Sequence, residues 1–540
     1  MANVIIFTDR APKTMLLPGT GVGASSYNYP AGSYKIASVV RNLGLEALVV
    51  NNCFSLTFKG VQEIINNNKD DLLWVGIGST LMFVRSNMFD EYRTQWHNSN
   101  ESTIDLDPIF GGSGGSADSR TFSNKSAATE MVWSTGEIER LSKYCEDLNA
   151  PLLIGGSWVT YMRNGNFGTI HKNTHLIKGY AEQYVKEFTL EKIKDPTSSP
   201  PYIVSNSNYD SQEFKESSIL YSKHDLISPE NWLPLEIARG CAFNCAYCNF
   251  DHRNSRDSYK NTTALREELL RNYEEYGVTS YMLVDDLYND SKTKIRDLYD
   301  NVWSKLPFDV EWVGYMRLDM FWADPESIEI VKASGARMGS FGIETLHNKA
   351  GAKVGKGLGK ERILETLHAL KEKWGDEVLV ASNFIAGLPY EDRESIQETI
   401  DWSANTDLLF SSQWSPLWIT PPEHYNIVTE ESLTNLAKDP DKWEIKWISP
   451  GNWINSAGLT FEEVDKMCVE ARAKMPDDMK MIRSIFGFFD YADLRSVGMT
   501  HRQIVDKRYG RLDPKVLYNI NRKIQQRVEQ RLEYWLQVKV

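Results

Sequence analysis

The chain has 540 residues, of which 41% are hydrophobic and 25% charged. That is a globular composition, with enough apolar side chains for about three to five folding units. The formal net charge of -13 speaks against gripping a phosphate backbone over the whole surface. The best apolar run, Leu72 to Val84, is broken by Gly76, Gly78, Ser79 and Thr80. It falls short of the roughly 18–20 residues that a membrane span needs. The first residues, MANVIIFTDR, lack a basic leader and read as a strand, so no signal peptide is expected. Six cysteines are too few for a disulfide scaffold.

In the first 190 or so residues, short apolar runs alternate with amphipathic ones. Strands are expected at Val4–Thr8, Ala47–Asn51, Leu72–Gly78 and Leu152–Gly155, and helices at Ser33–Leu43, Val61–Asn68, Glu137–Leu148 and Ala181–Lys192. Ile138, Leu141, Cys145 and Leu148 recur at helical spacing, which makes Cys145 an ordinary core residue. This alternation predicts an α/β unit, a doubly wound parallel sheet. Ligands of such sheets bind beyond the carboxyl ends of the strands. Those ends carry Gly76, Gly78 and Ser79 in one strand and Gly155, Gly156 and Ser157 in another. Small residues there admit either a large flat ligand or simple tight turns. From about Arg85 to Ser134 the alternation lapses around a glycine-serine run, as in a flap or a flexible insertion.

DPTSSPP at 195–201 is a linker by composition. A second alternating block follows. Strands are expected near Leu233–Ala238, Ser280–Val284, Val310–Tyr315, Met338–Ile343, Val378–Ile385 and Leu408–Ser415, with helices between them. Six βα units imply a complete or partial parallel barrel. From about Thr429 the chain is expected to be mostly helical. The division expected is thus 1–195 for the first sheet, with an insertion at about 85–134; 196–228 for the linker; 229–428 for the barrel; and 429–540 for a helical accessory region. In the last helix Leu517, Ile520, Ile524, Val528 and Leu532 form one stripe. Its other face is basic, so it either docks nucleic acid or an acidic partner, or is a solvated face behind a packed stripe. Trp443, Trp447 and Trp453 would either line a substrate pocket or pack the accessory helices.

Cys241, Cys245 and Cys248 fall in the pattern C-x3-C-x2-C directly after an apolar strand. In a parallel barrel that loop lies on the active-site face. Three thiolates on one short loop can hold three irons of a cubane cluster and leave the fourth iron open. Structural zinc would want a fourth ligand. His252 is the one at hand, and no second C-x2-C pair exists.

With Tyr247 just before its third cysteine, this loop resembles the radical S-adenosylmethionine (radical SAM) superfamily. Later strand ends carry the resemblance further. They are Leu283-Val-Asp285-Asp286, Trp312-Val-Gly-Tyr-Met-Arg317-Leu-Asp319, Phe341-Gly-Ile-Glu344-Thr followed by Lys353 or Lys356, and Phe384-Ile-Ala-Gly387-Leu-Pro-Tyr-Glu391. The resemblance covers about residues 230–425. It implies a partial (β/α)6 radical SAM barrel with a [4Fe–4S] cluster on the three cysteines. It also implies that SAM is bound by Tyr247, Asp285, Asp286, Arg317, Glu344 and Gly387. An aspartate would pair with the SAM ammonium, and Arg317 and Glu344 would reach its carboxylate or ribose. The implied reaction is reductive cleavage of SAM to a 5′-deoxyadenosyl radical, fed by an electron donor such as flavodoxin or ferredoxin, in a reducing cytoplasm.

The first unit resembles the cobalamin (B12)-binding domain, a Rossmann-like fold, found in one class of that superfamily. Tyr29 to Gly44 looks like its first helix, Leu153-Ile-Gly155-Gly156-Ser157 like its Gly-Gly-Pro strand end, and His175 to Glu182 like its closing element. The resemblance implies a corrinoid over Gly76, Ser79, Gly155 and Gly156, and methyl transfer to an unactivated carbon. The D-x-H-x-x-G signature of a cobalt-ligating histidine is absent at all nine histidines. Its absence leaves open a cobalamin-free oxidase or mutase. A methylthiotransferase would need three cysteines ahead of the barrel, where only Cys53 and Cys145 stand. A non-enzymatic sensor with a vestigial cluster is a further alternative, against which the later strand-end motifs count.

Overall fold

The computed structural model describes residues 3–8, 29–53, 56–78, 135–156, 159, 171, 173–196, 203–205, 211–248, 258–417, 419, 434–449, 452–474, 488–508 and 514–540. The expected flap at 85–134, Ser79, Ser157 and His252 lie outside these residues.

Two six-stranded parallel sheets organise the chain. The first contains β1 (Val4–Thr8), β2 (Ala47–Val50), β3 (Trp74–Gly78), β4 (Leu152–Gly155), β5 (Thr174–Lys178) and β6 (Ile203–Ser205), in the order β2-β1-β3-β4-β5-β6. Apolar runs such as VIIFT and ALVV are buried along their whole length, as expected of parallel strands covered on both faces. The chain direction across the sheet reverses between β1 and β3, which makes the ends of those strands the topological switch point. There Ser33, in the helix Ala31–Arg41, donates to Thr8 Oγ1 at 2.9 Å. A Cβ on Gly78 would lie 2.1 Å from Ser33 Oγ, so only glycine lets the helix start this close. Sequence patterning missed β5 and β6. β5 begins with polar Thr174 and His175 and has only two apolar residues, Leu176 and Ile177, and β6 falls in the stretch read as a linker.

The second sheet runs β7 (Trp232–Leu235), β10 (Ser280–Leu283), β11 (Glu311–Met316), β12 (Ala336–Glu344), β13 (Leu379–Ala386) and β14 (Ser411–Pro416), each beside the next in chain order. All these pairings are parallel. The small antiparallel pair β8 (Ala238–Arg239) and β9 (Ser258–Tyr259) follows β7. Successive strands joined by helices wind in one direction, and among the described residues β7 and β14 stay unpaired edges, which makes a partial barrel. Leu233, Tyr281, Leu283 and Trp312 pack beneath the helices in the main core.

The opposite face of this sheet carries Trp232, Met282, Val313, Met338 and Leu379, which lie near the strand starts. The helix Phe488–Ser496 packs there through Tyr491, Ala492 and Leu494. The C-terminal region is therefore divided among three places. Its middle helix plugs the base of the barrel. Its last helix, Pro514–Gln537, packs on the first sheet, with Trp535 fully buried beside Ile64 and Val61. An antiparallel hairpin, β15 (Lys446–Ser449) and β16 (Asn452–Ile454), interrupts the expected helical run. It buries Trp453, whose indole donates to the Leu417 carbonyl at 3.0 Å. No described helix is long and apolar enough to cross a membrane.

Candidate functional site

The cysteine loop leaves the C-terminal side of β7 and β8 through Gly240 at φ +93°. The Cys248 N–H donates to the Cys245 carbonyl at 3.1 Å, and the Ala246 N–H to Val354 O at 3.0 Å. The segment 434–443 covers the loop from outside. Leu436 N–H donates to Ala246 O at 3.1 Å, and Asn435 Nδ2 lies 2.9 Å from Asn244 Oδ1. Cys245 is buried, while Cys241 and Cys248 are partly exposed. Burial pushes the Cys241 thiol above its ordinary value. Among the described residues no three His, Cys, Asp or Glu side chains converge as a single-ion site requires. A cubane offers a separate iron to each thiolate, so three cysteines spread along one loop fit it better than they fit zinc.

Beside the loop, the end of β10 supplies Asp285 and Asp286. Asp285 Oδ1 accepts from the backbone N–H groups of Ile237 at 2.7 Å and Ala238 at 2.9 Å. It thereby ties β10 to the strand that launches the cysteines. Its Oδ2 is buried and meets no hydrogen-bond donor among the described residues. Burial raises the Asp285 carboxyl to about 7, against the opposing pull of Lys294. Burial, with the charge of Glu236 second, raises Asp286 to about 6. A cationic group brought to these oxygens would restore the charged form. This is the condition that an ammonium ligand such as that of SAM meets, so the pair fits it.

At the end of β12 the register shifts between Gly342 and Glu344, and Glu344 takes φ +67°. Its carboxylate accepts from Tyr247 Oη at 2.9 Å and pairs with Lys356 Nζ at 3.3 Å. Lys356 also donates to Gly342 O at 2.7 Å. Of the two expected lysines, Lys356 is therefore the one at Glu344. Lys353 instead stands 5.4 Å from the Trp443 ring. Tyr247 and Glu344, both expected at SAM, stand side by side.

Gly387 sits at φ +87°, and a Cβ there would come 2.4 Å from the Trp453 ring. Its neighbour is thus the accessory hairpin. Glu391 accepts from the N–H groups of Gly387 and Leu388, both at 2.9 Å, and from Thr345 Oγ1. It fixes this turn, and burial raises its carboxyl to about 7. Arg317 ends β11. Its guanidinium lies on Cys245 and Asp319.

Of the four corrinoid positions expected, Gly76 lies within β3, where a Cβ would meet the Trp74 ring at 2.9 Å. Gly155 ends β4 with nothing within 4 Å of such a Cβ, and Gly156 takes φ +101°. Among the described residues nothing stands within 4 Å of the Gly155 Cβ position; residues 157–158 and 160–170, which follow in the chain, lie outside them. His175 is a core residue, its ring 5.1 Å from that of Phe188. Cys53 and Cys145 are fully buried in the core of the first sheet, and burial pushes the Cys145 thiol to about 12.

Sequence reading missed a charge network that joins the two sheets. Lys35 pairs with Glu236 and, at 3.5 Å, with Glu182. Arg239 pairs with Glu182 and, at 2.7 Å, with Glu236. The Arg239 guanidinium also lies 3.9 Å from the Tyr180 ring. The network draws on three distant stretches of the chain, Lys35, Glu182 and the nearby pair Glu236 and Arg239, which stand within five positions of Cys241. Only the position of Glu236 and Arg239 just before Cys241 could have hinted at them.

Residues 235–403 match the model of the Radical SAM superfamily. An uncharacterized methyltransferase of Pyrococcus horikoshii is 26% identical over 172 residues, which is 32% of this chain and 36% of that protein. The ribosomal protein uS12 methylthiotransferase RimO of Hydrogenobaculum is 24% identical over 183 residues, 33% of this chain and 45% of that one. The match thus spans less than half the length of either relative. Across 98% of this chain and 100% of the other, the fold is similar to that of TsrM from Kitasatospora setae, a radical S-adenosylmethionine methyltransferase solved with cobalamin and a [4Fe–4S] cluster. The TM-score is 0.59 and the identity 13%. A radical SAM domain implies a [4Fe–4S] cluster and SAM. The chain therefore carries a radical SAM domain at 235–403, and its first sheet has the B12-binding-type fold.

Proposed function

We propose that the protein is a cobalamin-dependent radical SAM enzyme that transfers a methyl group to an unactivated carbon. The observation that carries this reading is the placement of the cysteine loop between the barrel's carboxylates and the charge network that leads to the first sheet. When bound, the cluster and SAM together supply a 5′-deoxyadenosyl radical, and cobalamin supplies a methyl carrier.

The chain's own residues have separable tasks. Cys241, Cys245 and Cys248 hold the cluster. Asp286 and the open oxygen of Asp285 take the SAM ammonium, which lets both carboxyls ionise at neutral pH. Tyr247, Glu344 and Lys356 form a fixed polar edge beside the loop. Their mutual hydrogen bonds set its shape before any ligand arrives. The segment 434–443 holds the loop in place through Leu436 and Asn435. Gly155 and Gly156 leave the end of β4 open to a corrinoid. Against the methylthiotransferase reading, which the likeness to RimO raises, stands the core burial of both cysteines ahead of the barrel, Cys53 and Cys145. Reducing power comes from an electron-transfer protein such as flavodoxin or ferredoxin.

The test is anaerobic purification with iron, sulfide and hydroxocobalamin supplied, followed by iron and cobalt counts and an absorbance spectrum. About four irons per chain with cobalt present support the reading. Iron without cobalt would move the protein to the cobalamin-free oxidases and mutases, and the absence of iron would remove it from radical chemistry. Cys245→Ala is expected to abolish reductive SAM cleavage. Deoxyadenosine still forming in that variant would sink the ligand assignment.

A further inference from the structure

Arg317 sits at the end of β11 with its backbone locked. Asn289 Nδ2 donates to its carbonyl at 2.9 Å, and its own N–H donates to Asn289 Oδ1 at 2.8 Å. The side chain is locked as well. Nε and Nη2 donate to the two carboxylate oxygens of Asp319, at 2.9 and 2.6 Å. The flat face of the guanidinium stacks on Phe243, with Cζ 3.7 Å from the ring centre. The edge left over places Nη1 3.3 Å from Cys245 Sγ. The SAM carboxylate or ribose, the partners that the sequence suggests for Arg317, would want the forked edge that Asp319 already occupies.

We propose that Arg317 is a positioning residue for the iron–sulfur cluster, whose Nη1–H bond to the Cys245 sulfur fixes that ligand and raises the cluster's reduction potential. The inference rests on the cluster reading above. A ligating thiolate gains negative charge when its cluster takes an electron. A donor already aimed at that sulfur therefore favours the reduced form, and hydrogen bonds to cluster sulfurs are among the terms that set such potentials. The side chain is only 8% exposed, so water screens its charge weakly. Asp319 serves as the orienting group. It holds the fork at a geometry that a lysine in place of Arg317 could not copy.

The experiment is a redox titration of the reconstituted holoprotein, followed by electron paramagnetic resonance, on wild type, Arg317→Gln and Arg317→Lys at matched iron content. For the Gln variant we expect the reduced-to-oxidised ratio at the wild-type midpoint to fall about tenfold, a shift of about 59 mV to more negative potential for a one-electron couple. The Lys variant keeps the charge without the fork and should shift less in the same direction. A loaded Gln variant that titrates at the wild-type midpoint overturns the proposal. Wild type alone supplies a second reading, should the variants fail to load. With arginine heavy-nitrogen-labelled in its guanidinium, pulsed resonance on the reduced cluster should detect hyperfine coupling to that nitrogen. No coupling in the loaded wild type overturns the proposal, while the cluster itself still stands. A wild type that binds no cluster fails the functional reading instead, so the two failures are distinguishable.

Discussion

The two sheets present opposite chemistry at their carboxyl ends. The first ends in Gly78, Gly155 and Gly156, and the charges near it, Lys35 and Glu182, are matched by Glu236 and Arg239 from the second. The second ends in Asp285 and Asp286, whose carboxyls burial raises to about 7 and about 6. In a matched buried network each charge offsets part of the desolvation cost of its partner, so removing one leaves the other uncompensated. Buried carboxylates that lack a cation keep their desolvation cost until a ligand removes it. One region thus closes on its own charges, while the other keeps a buried carboxylate oxygen, Asp285 Oδ2, without a donor among the described residues.

The strongest way to break this comparison is to unbalance the matched network. Glu236→Gln removes one of the two carboxylates that pair with Lys35 and Arg239 among the described residues, and should cost about 4 kcal/mol of unfolding free energy, read from the denaturant midpoint. The same network has a pH signature. Lys35 and Arg239, opposed by burial, hold Glu236 down to about 2. Its contribution is therefore complete above the unfolded value of about 4.3 and is lost as pH falls from there toward 2. Acid unfolding that begins near pH 4 in wild type and is blunted in the variant would match this expectation.

The carboxylates of the second sheet should behave in the opposite sense. A folded value raised above the unfolded one stabilises below the unfolded value and loses that stability as pH rises. For Asp285 the window runs from about 4 to about 7. The apoprotein should lose roughly 3 kcal/mol across that window from this group. Asp285→Asn should flatten the loss, and melting curves at pH 5 and pH 8 would read the difference. Equal melting behaviour of the variant and wild type at both pH values would show that Asp285 already has a partner, and the contrast between the sheets would fall.

Two glycines sharpen the comparison at smaller scale. Gly387→Ala forces a Cβ toward Trp453 at positive φ and should cost about 2 kcal/mol by thermal or chemical melting. Gly155→Ala meets nothing within 4 Å and should change stability by less than about 0.5 kcal/mol. If a corrinoid lies over that strand end, the same variant should lower the cobalt retained after desalting. Unchanged cobalt would move the corrinoid away from Gly155.

The sequence by itself determined the elements whose stabilising contacts are periodic. Apolar runs such as Val4–Thr8 and Leu152–Gly155 appear as strands at the residues where patterning put them, because fully covered parallel strands leave an unbroken apolar signature. The cysteine loop and the barrel's strand-end motifs were legible because each is a short local pattern. Tertiary structure decided what depends on partners distant in the chain. It paired Lys35 with Glu236 across 201 positions, turned the edge of Arg317 that Asp319 leaves free onto Cys245, and set Gly387 against Trp453. It also sent the last helix to the first sheet, where Asn67 Nδ2 donates to Leu536 O at 2.9 Å. An amphipathic stripe says only that a helix needs an apolar partner. Which face becomes that partner depends on where the rest of the chain has already buried its own surface.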